Sequence, residues 1–199
     1  MCMKTVIINH KKGERPQIKL TVRRVEASVY YSCGFAKEHY LNGEINKSCK
    51  CLLFEWDGVP VGFVGILNTP RRNYPYGCSI SRLVVLPDYQ GLGLSTQIFN
   101  FCGGIVKSLS DAEHDYHLYI KTAHRKFGEA LSRNPNVRGT TFDGKGENES
   151  AAKHDKRYRN RLTRVSYCKE YVGEAIYGYE DLLKPIKEMR ERKKTLKCS

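Results

Sequence analysis

The stretch SRLVVLPDYQGLGLSTQIFNF (81–101) carries a strand, a proline, a glycine-containing loop and a helix start in immediate succession. Pro87 cannot donate a ladder hydrogen bond and therefore ends the strand predicted at 78–86. A strand that runs through a tight loop into a helix indicates a sheet with helices packed on it. Apolar residues at helical spacing predict this helix over 94–109: Leu94, Ile98, Phe101, Cys102, Ile105, Val106 and Leu109.

The glycine loop favours an anion. Gly91 and Gly93 let a ligand approach the backbone N–H groups closely, and the dipole of the following helix favours negative charge there. We therefore expect a phosphate group at this loop. Two common phosphate loops do not match, because Thr96 replaces the last glycine of G-x-G-x-x-G and the Gly-Lys-Ser/Thr of a P-loop is missing.

The other elements follow from apolar spacing and turn residues. Asp57-Gly58 lies between two apolar runs and favours a tight hairpin turn. Gly103-Gly104 costs a helix ~1 kcal/mol per glycine relative to alanine, which predicts close packing at that point. The element order predicts a mixed α/β sheet. The predicted strands are 17–25, 50–56, 60–67, 78–86, 117–122, 137–142 and 162–172, and the predicted helices are 28–41, 94–109 and 124–133.

Length and composition limit the class of protein. The chain has 199 residues, enough for one domain with a core. No apolar run approaches the ~20 residues that cross a bilayer, and charge interrupts the N-terminus too early for a secretory signal. We expect a cytoplasmic protein with no membrane partner. None of the eight cysteines forms a C-x-x-C pair, so we expect no metal site and interpret the cysteines as small buried residues.

The net charge of +13 attracts anions such as nucleotide phosphates, nucleic acid or acidic proteins. Two segments concentrate this charge. The segment 153–164 is a basic block whose role stays open. The segment 174–199 is interpreted as a solvated basic tail that could hold a helix. Residues 1–173 are interpreted as one domain, in which 143–161 is a polar loop or insertion.

The stretch around the glycine loop resembles motif A of the GNAT acetyltransferase superfamily. That motif is a strand ending V-x-P, here Val85-Leu86-Pro87, followed by Q/R-x-x-G-x-G/A, here Gln90 to Ser95 with serine at the last position. The resemblance covers about 17–142 and 162–172. In addition, 39–51 together with KTAH (121–124) resembles a poorly characterised GNAT subgroup, some members of which are fused to ABC-type ATPase domains.

The resemblance implies a GNAT-like acyl-CoA N-acyltransferase fold, with a central, mostly antiparallel sheet and flanking helices. It also implies an enzyme that moves the acetyl group of acetyl-CoA to a primary amine by direct attack. The loop amides would bind the pyrophosphate, the strand backbone would pair with the pantetheine arm, and a backbone N–H near Val85 would stabilise the oxyanion. The implied cofactor-binding residues are Leu83, Val84, Val85, Gln90, Gly91, Leu92, Gly93, Leu94, Ser95 and Thr96.

The usual acid–base residues of the family do not match. Ser79 and Ser81 stand where many relatives place a glutamate. Many relatives also have a catalytic tyrosine on the later helix. If His124 occupies the position of their usual asparagine, Leu131 occupies the position of that tyrosine. His124 and His39 are the catalytic candidates, because an imidazole suits proton transfer near neutral pH. His124 could instead cap its helix, and His39 closes the first predicted helix, where relatives line the acceptor cleft.

The acceptor stays open among a small amine, a protein amine and an RNA base, and the resemblance implies a homodimer as one arrangement. Two other functions also stay open. The missing glutamate and tyrosine favour an acetyl-CoA-binding regulatory module without turnover. The basic charge favours a nucleic-acid-binding protein, although the sequence holds no recognised nucleic-acid motif.

Overall fold

The computed structural model describes residues 3–8, 17–39, 44–146 and 165–184. Short 3₁₀ turns lie at Pro87–Tyr89 and Glu180–Leu183. The strands are β1 (Met3–Ile8), β2 (Ile18–Val25), β3 (Lys50–Trp56), β4 (Val59–Asn68), β5 (Gly77–Val85), β6 (His117–Thr122), β7 (Val137–Gly139), β8 (Lys145–Gly146) and β9 (Val165–Tyr171). The helices are α1 (Val29–Ser32), α2 (Phe35–Glu38), α3 (Leu94–Lys107) and α4 (Arg125–Ser132).

The strands form a sheet in the order β1-β2-β3-β4-β5-β6-β9-β7, and β8 pairs with β9. β5 and β6 run parallel, while the other described pairs run antiparallel. Between β3 and β4, Asp57 (φ 48°) and Gly58 (φ 81°) both have left-handed backbones, as a type I′ hairpin turn requires. The predicted mixed, mostly antiparallel sheet with flanking helices is confirmed.

Each face of the sheet buries its own apolar cluster, because alternate side chains of a strand point to opposite faces. Helices α3 and α4 cover one face, which we call the α3 face. Its cluster includes Leu52, Phe54, Ile80, Leu118, Ile120, Phe99, Ile105 and Leu131. Helices α1 and α2 cover the opposite face, the α1 face. Its cluster includes Leu53, Phe63, Val84, Tyr30 and Phe35.

The single helix predicted over 28–41 is wrong, because the chain forms the two four-residue helices α1 and α2 instead. Gly34 lies between them with φ 79°, a left-handed backbone that side-chain-bearing residues rarely adopt. Its N–H donates to the carbonyl of Tyr31 and its carbonyl accepts from the N–H of Lys37, both at 3.1 Å. Tyr40 and the turn predicted at Asn42-Gly43 lie outside the described residues.

The strand predicted over 137–142 ends at Gly139, because Asp143 folds back onto β9. The Asp143 carboxylate accepts from the N–H of Cys168 at 2.9 Å, and the N–H of Asp143 donates to Thr140 O at 3.0 Å. The Asp143 side chain thereby accepts the hydrogen bond from Cys168 of β9 that a backbone carbonyl of a longer β7 would otherwise accept. The predicted polar segment 143–161 is described only as far as residue 146. The edge strand β1, for which the sequence analysis made no prediction, pairs with β2.

Residues 174–184 pack against the core at the start of the predicted tail. Leu182 and Leu183 are buried, and the N–H of Ile176 donates to Gly104 O at 3.0 Å. A Cβ added at Gly104 would lie 2.4 Å from Ile176 Cγ1, so the close packing predicted for the helix glycines is present. The remainder of the tail, 185–199, and the basic block 153–164 lie outside the described residues.

Candidate active site

The parallel strands β5 and β6 separate partway along their length. Gly77–Ile80 pairs with His117–Ile120, and β5 then continues to Val85 without β6. The register between β5 and β4 shifts at Ser81, which forms a bulge. A bulge bends its strand and increases the local twist, so the two strands diverge from this point. Across the described ranges, no other strand takes up the edge of β5 that β6 leaves.

A cleft of about 410 Å³ opens where the strands diverge, and we call it the loop cleft. Its walls are the far half of β5, the glycine loop, β6, the start of α4 and the end of α2. Of the predicted cofactor-binding residues, Leu92 instead packs against the core of the α3 face. The others line the loop cleft: Leu83, Val84, Val85, Gln90, Gly91, Gly93, Leu94, Ser95 and Thr96.

The glycine loop has a backbone that requires its two glycines. Gly91 has φ 82° and Gly93 has φ 77°, and a Cβ at either position would meet nothing within 4 Å. The glycines are therefore needed for conformation, and the space above them is open to a ligand. The side chain of Gln90 fixes the loop to the end of β5, since its Nε2 donates to Val85 O at 3.0 Å.

Helix α3 begins in the loop cleft with its N-terminus open. Gly93 is its N-cap residue, no side chain caps the helix, and the first turn holds no acidic residue. The first amide of α3 to bond within the helix is that of Gln97, which donates to Gly93 O at 3.3 Å. The amides before it point out of the helix end, where the dipole favours an anion. The loop and helix start therefore fit a phosphate group.

Both predicted histidines line the loop cleft, from different elements. His39 directly follows α2 and is partly buried. His124 is the N-cap of α4, where its Nδ1 accepts from the N–H of Phe127 at 3.2 Å. A neutral imidazole that accepts at Nδ1 carries its proton on Nε2. In this arrangement His124 can donate a hydrogen bond from Nε2, and protonation of Nδ1 would remove its cap.

The structure also locates the three residues that the resemblance pairs with the usual glutamate and tyrosine. Ser81 lines the loop cleft, Ser79 lines a neighbouring cleft, and Leu131 is fully buried in the core. Glu38 and Lys126, which were not predicted as site residues, are among the charged residues that line the loop cleft. Glu38 precedes His39 and Lys126 follows His124 by two positions, so only adjacency to those histidines could have indicated them.

A second cleft of about 760 Å³ adjoins the loop cleft, and we call it the sheet cleft. Its residues come from the β4–β5 connection, β5, β6, the turn after β7, β8 and β9: Arg71, Ser79, Ile80, Tyr119, Ile120, Lys121, Thr140, Phe142, Lys145, Ser166, Cys168 and Lys169. Ile80, Ile120 and Lys121 line both clefts. On β6, Leu118 and Ile120 belong to the cluster of the α3 face. Side chains alternate along a strand, so Tyr119 and Lys121 point to the α1 face.

The described residues show neither a membrane helix nor a metal centre. In the described ranges, no helix is long and apolar enough to cross a bilayer. In the same ranges, no group of three or more His, Cys, Asp or Glu side chains is placed to hold a metal ion. None of the six described cysteines is in a disulfide. Burial raises the pKa of the Cys51 thiol to about 12, so this thiol stays protonated at neutral pH.

Known structures share this architecture at low sequence identity. The Escherichia coli ribosomal-protein-S18-alanine N-acetyltransferase matches with TM-score 0.53 and 12% identity, over 80% of this chain and 96% of that chain. The Bacillus cereus IAA acetyltransferase matches with TM-score 0.53 and 15% identity, over 76% and 97% of the two chains. Arabidopsis thaliana Naa50, in complex with the bisubstrate analogue CoA-Ac-MVNAL, matches with TM-score 0.53 and 14% identity, over 76% and 97%. These similarities show the fold.

Sequence comparison gives the family. No curated protein sequence matches the chain. The family model described as the acetyltransferase (GNAT) family matches residues 20–125, which is more than half of the chain and includes β5, the glycine loop and α3. The motif A resemblance and the fold agree with this match. The chain therefore belongs to the GNAT acetyltransferase family.

Proposed function

We propose that this protein transfers the acetyl group of acetyl-CoA to a primary amine. The observation that carries the proposal is the coincidence of two features in the loop cleft. The divergence of β5 from β6 leaves a strand edge without a partner strand in the described chain, and the same cleft contains the open N-terminus of α3. A strand edge suits an extended amide-bearing arm, and the helix start suits a pyrophosphate.

The chain's own residues would act by binding and positioning. The amides from Gly91 to Thr96 hold the phosphates, and the edge of β5 up to Val85 orients the arm. Acetyl-CoA supplies an activated thioester. The amine nitrogen forms the new C–N bond as the C–S bond breaks, and a backbone N–H near Val85 stabilises the charge that develops on the acetyl oxygen.

A proton passes from the attacking amine to the departing sulfur in this reaction, and two histidines line the loop cleft. The attacking amine must lose a proton, which we assign to His39 as the general base. The departing CoA thiolate must gain a proton, which we assign to the protonated His39, and we assign His124 to stabilise the departing sulfur with a hydrogen bond from Nε2, the nitrogen that its cap leaves protonated. His39 and His124 line the same cleft from opposite walls.

The first test is the thermal midpoint of the full chain with and without acetyl-CoA. A ligand at ~100 times its dissociation constant that binds only the folded state adds about 2.7 kcal/mol, and we expect a clear upward shift. No shift at millimolar acetyl-CoA would contradict the proposal. The second test is the release of CoA thiol in the presence of a panel of primary amines.

The two tests separate the alternative functions. A thermal shift without thiol release from any amine would indicate an acetyl-CoA-binding module without turnover, in line with Ser79, Ser81 and Leu131 at the usual catalytic positions. Salt-sensitive binding of RNA or DNA without a thermal shift would indicate a nucleic-acid-binding protein, in line with the net charge of +13.

A further inference from the structure

The sheet cleft is lined by cations from separate parts of the chain. Arg71 lies in the β4–β5 connection, Lys121 on β6 and Lys145 on β8, and all three are exposed. Among the described lining residues there is no carboxylate. The field in this cleft is therefore positive, and its low-dielectric walls strengthen that field relative to open water.

Arg71 makes a cation–π contact with an aromatic residue of the sheet. Its guanidinium lies over the ring of Tyr119, with 4.3 Å between Arg71 Cζ and the ring centroid. A guanidinium stacked on a ring still presents its N–H donors around its edge, in the fork geometry that matches a carboxylate or a phosphate. The stacking removes part of the side-chain entropy that an exposed arginine loses when it binds an anion.

The nearest carboxylates are already bound by other groups of the protein. Asp143 accepts from Lys169 Nζ at 2.5 Å and from the N–H of Cys168 at 2.9 Å. Glu170 accepts from His117 Nδ1 at 2.7 Å and from Arg138 at 2.8 Å. The Asp143 carboxylate thus offsets the charge of Lys169. Burial, together with the charge of Glu170, raises the pKa of Tyr119 to about 12, so its hydroxyl adds no negative charge at neutral pH.

The sheet cleft meets the loop cleft at Ile80, Ile120 and Lys121, where β5 and β6 diverge. A molecule in the sheet cleft would therefore reach the point at which the proposed function places the acetyl group. We infer that the sheet cleft binds the acceptor, and that the acceptor is an amine that also carries an anionic group, a carboxylate or a phosphate, which pairs with Arg71. This inference rests on the proposed function.

The same positive field suits the chemistry of an amine acceptor. A nearby cation disfavours the ammonium form of a bound amine, so the amine loses its proton more readily. A simple polyamine would be repelled for the same reason. An attached anion offsets that repulsion, because its attraction to Arg71 holds the molecule in the cleft while the amine becomes nucleophilic.

Matched pairs of amines test the inference, each pair differing by one anionic group. The probes are L-lysine against cadaverine for the carboxylate, and phosphoethanolamine against ethanolamine for the phosphate. Each is titrated by calorimetry into the full chain, with and without CoA. We expect the anionic member of at least one pair to bind at least about ten-fold more tightly, which is about 1.4 kcal/mol. Equal affinity within both pairs, tighter binding of the anion-free members, or no binding by any probe would overturn the inference.

Neighbouring arginines supply the matched variants. Arg71→Gln should remove most of the preference for the anionic probe, whereas Arg72→Gln should keep it, because Arg72 is exposed but does not line the cleft. An equal loss in both variants would show a general charge effect and contradict the assignment to Arg71. The thermal shift with acetyl-CoA is independent of these titrations. If acetyl-CoA gives no thermal shift but the anionic probes still bind more tightly, the proposed acetyl transfer is contradicted and the anion site is not. If acetyl-CoA gives a thermal shift but the anionic probes bind no more tightly, only the inference about the acceptor is contradicted.

Discussion

The ring of Tyr171 on β9 lies directly against the backbone of Gly103 in α3. A Cβ added at residue 103 would be 2.2 Å from Tyr171 Cγ, far inside contact distance. Tyr171 is buried, and its hydroxyl donates to Glu174 O at 2.8 Å. The tyrosine therefore cannot move aside without losing that hydrogen bond. This contact brings α3 close to the sheet, which in turn places the helix start at the loop cleft.

Gly103→Ala should destabilise the protein, although alanine is the better helix former by ~1 kcal/mol. Overpacking a core typically costs about 1–3 kcal/mol, and here the added methyl meets the rigid part of a ring. Urea unfolding measures the difference. A double-mutant cycle with Tyr171→Ala provides the control, because in that background the alanine at 103 should lose its penalty. A wild-type or higher unfolding midpoint for Gly103→Ala alone would contradict the close contact.

Local patterns were sufficient to predict much of this fold. The glycines of α3 were expected to mark close packing because they cost helix stability, and Asp57-Gly58 was expected to form a hairpin turn from residue type alone. The break at Gly34 was not predicted, because the apolar periodicity over 28–41 continues across it and does not indicate the left-handed backbone of this glycine.

The two clefts differ in how far the sequence could predict them. The loop cleft is built largely from one continuous stretch, so the residues predicted at 83–85 and 90–96 line it except at Leu92, whereas Tyr89 lines it and was not predicted. The sheet cleft joins residues from Arg71 to Lys169, and only the pairing of β6 with β9 brings them together. The turn at Asp143 also contributes, and it depends on a side-chain hydrogen bond that no periodicity indicates.

Gly93→Asp should abolish acetyl-CoA binding while the protein remains folded. The carboxylate would enter the open space above the loop and repel a phosphate. Gly93→Asn is the matched control, because asparagine and aspartate tolerate a left-handed backbone to a similar degree and differ in charge. By calorimetry, we expect Gly93→Asp to bind acetyl-CoA at least ten-fold more weakly than Gly93→Asn does. Normal binding by folded Gly93→Asp would remove the loop from the cofactor site.

His124→Ala should lower stability by about 1 kcal/mol, because the N-cap acceptor for the Phe127 amide is lost. His124→Asn keeps a side-chain acceptor and should retain most of the stability. If the Nε2–H of His124 also stabilises the leaving thiolate, the shorter asparagine of His124→Asn does not replace it. This variant should then release CoA thiol more slowly although its unfolding midpoint is near that of the wild type. If His124→Asn releases CoA thiol as fast as the wild type, His124 only caps the helix and takes no part in catalysis.

Glu170 should make stability depend on pH in the acidic range. Burial opposes its charged form, but the hydrogen bonds from Arg138 and His117 outweigh burial and hold the pKa of Glu170 below its usual value. A carboxylate with a lowered folded-state pKa stabilises the protein above its unfolded pKa of about 4.3, and this contribution is lost as pH falls through the folded value.

Glu170→Gln should therefore lower the unfolding free energy at neutral pH and weaken its dependence on pH below about 4.3. The exposed Glu113→Gln is the control and should change neither quantity. Denaturant unfolding at a series of pH values between 3 and 7 measures both. A Glu170→Gln profile parallel to that of the wild type would contradict the role of this carboxylate.

His39→Gln should remove the rise of kcat/KM with pH that a histidine base produces. A base acts only in its neutral form, and an imidazole usually loses its proton between about pH 5 and 8, so the wild-type rate should increase through that range. Glu38→Gln is the matched variant, because Glu38 precedes His39 and lines the same cleft. A glutamate base would already be ionised at lower pH, and its rising limb would lie near pH ~4 to 5. The pH profile of CoA release with each variant separates the two. If kcat/KM still rises with pH in His39→Gln but no longer does so in Glu38→Gln, the general base is Glu38 and not His39.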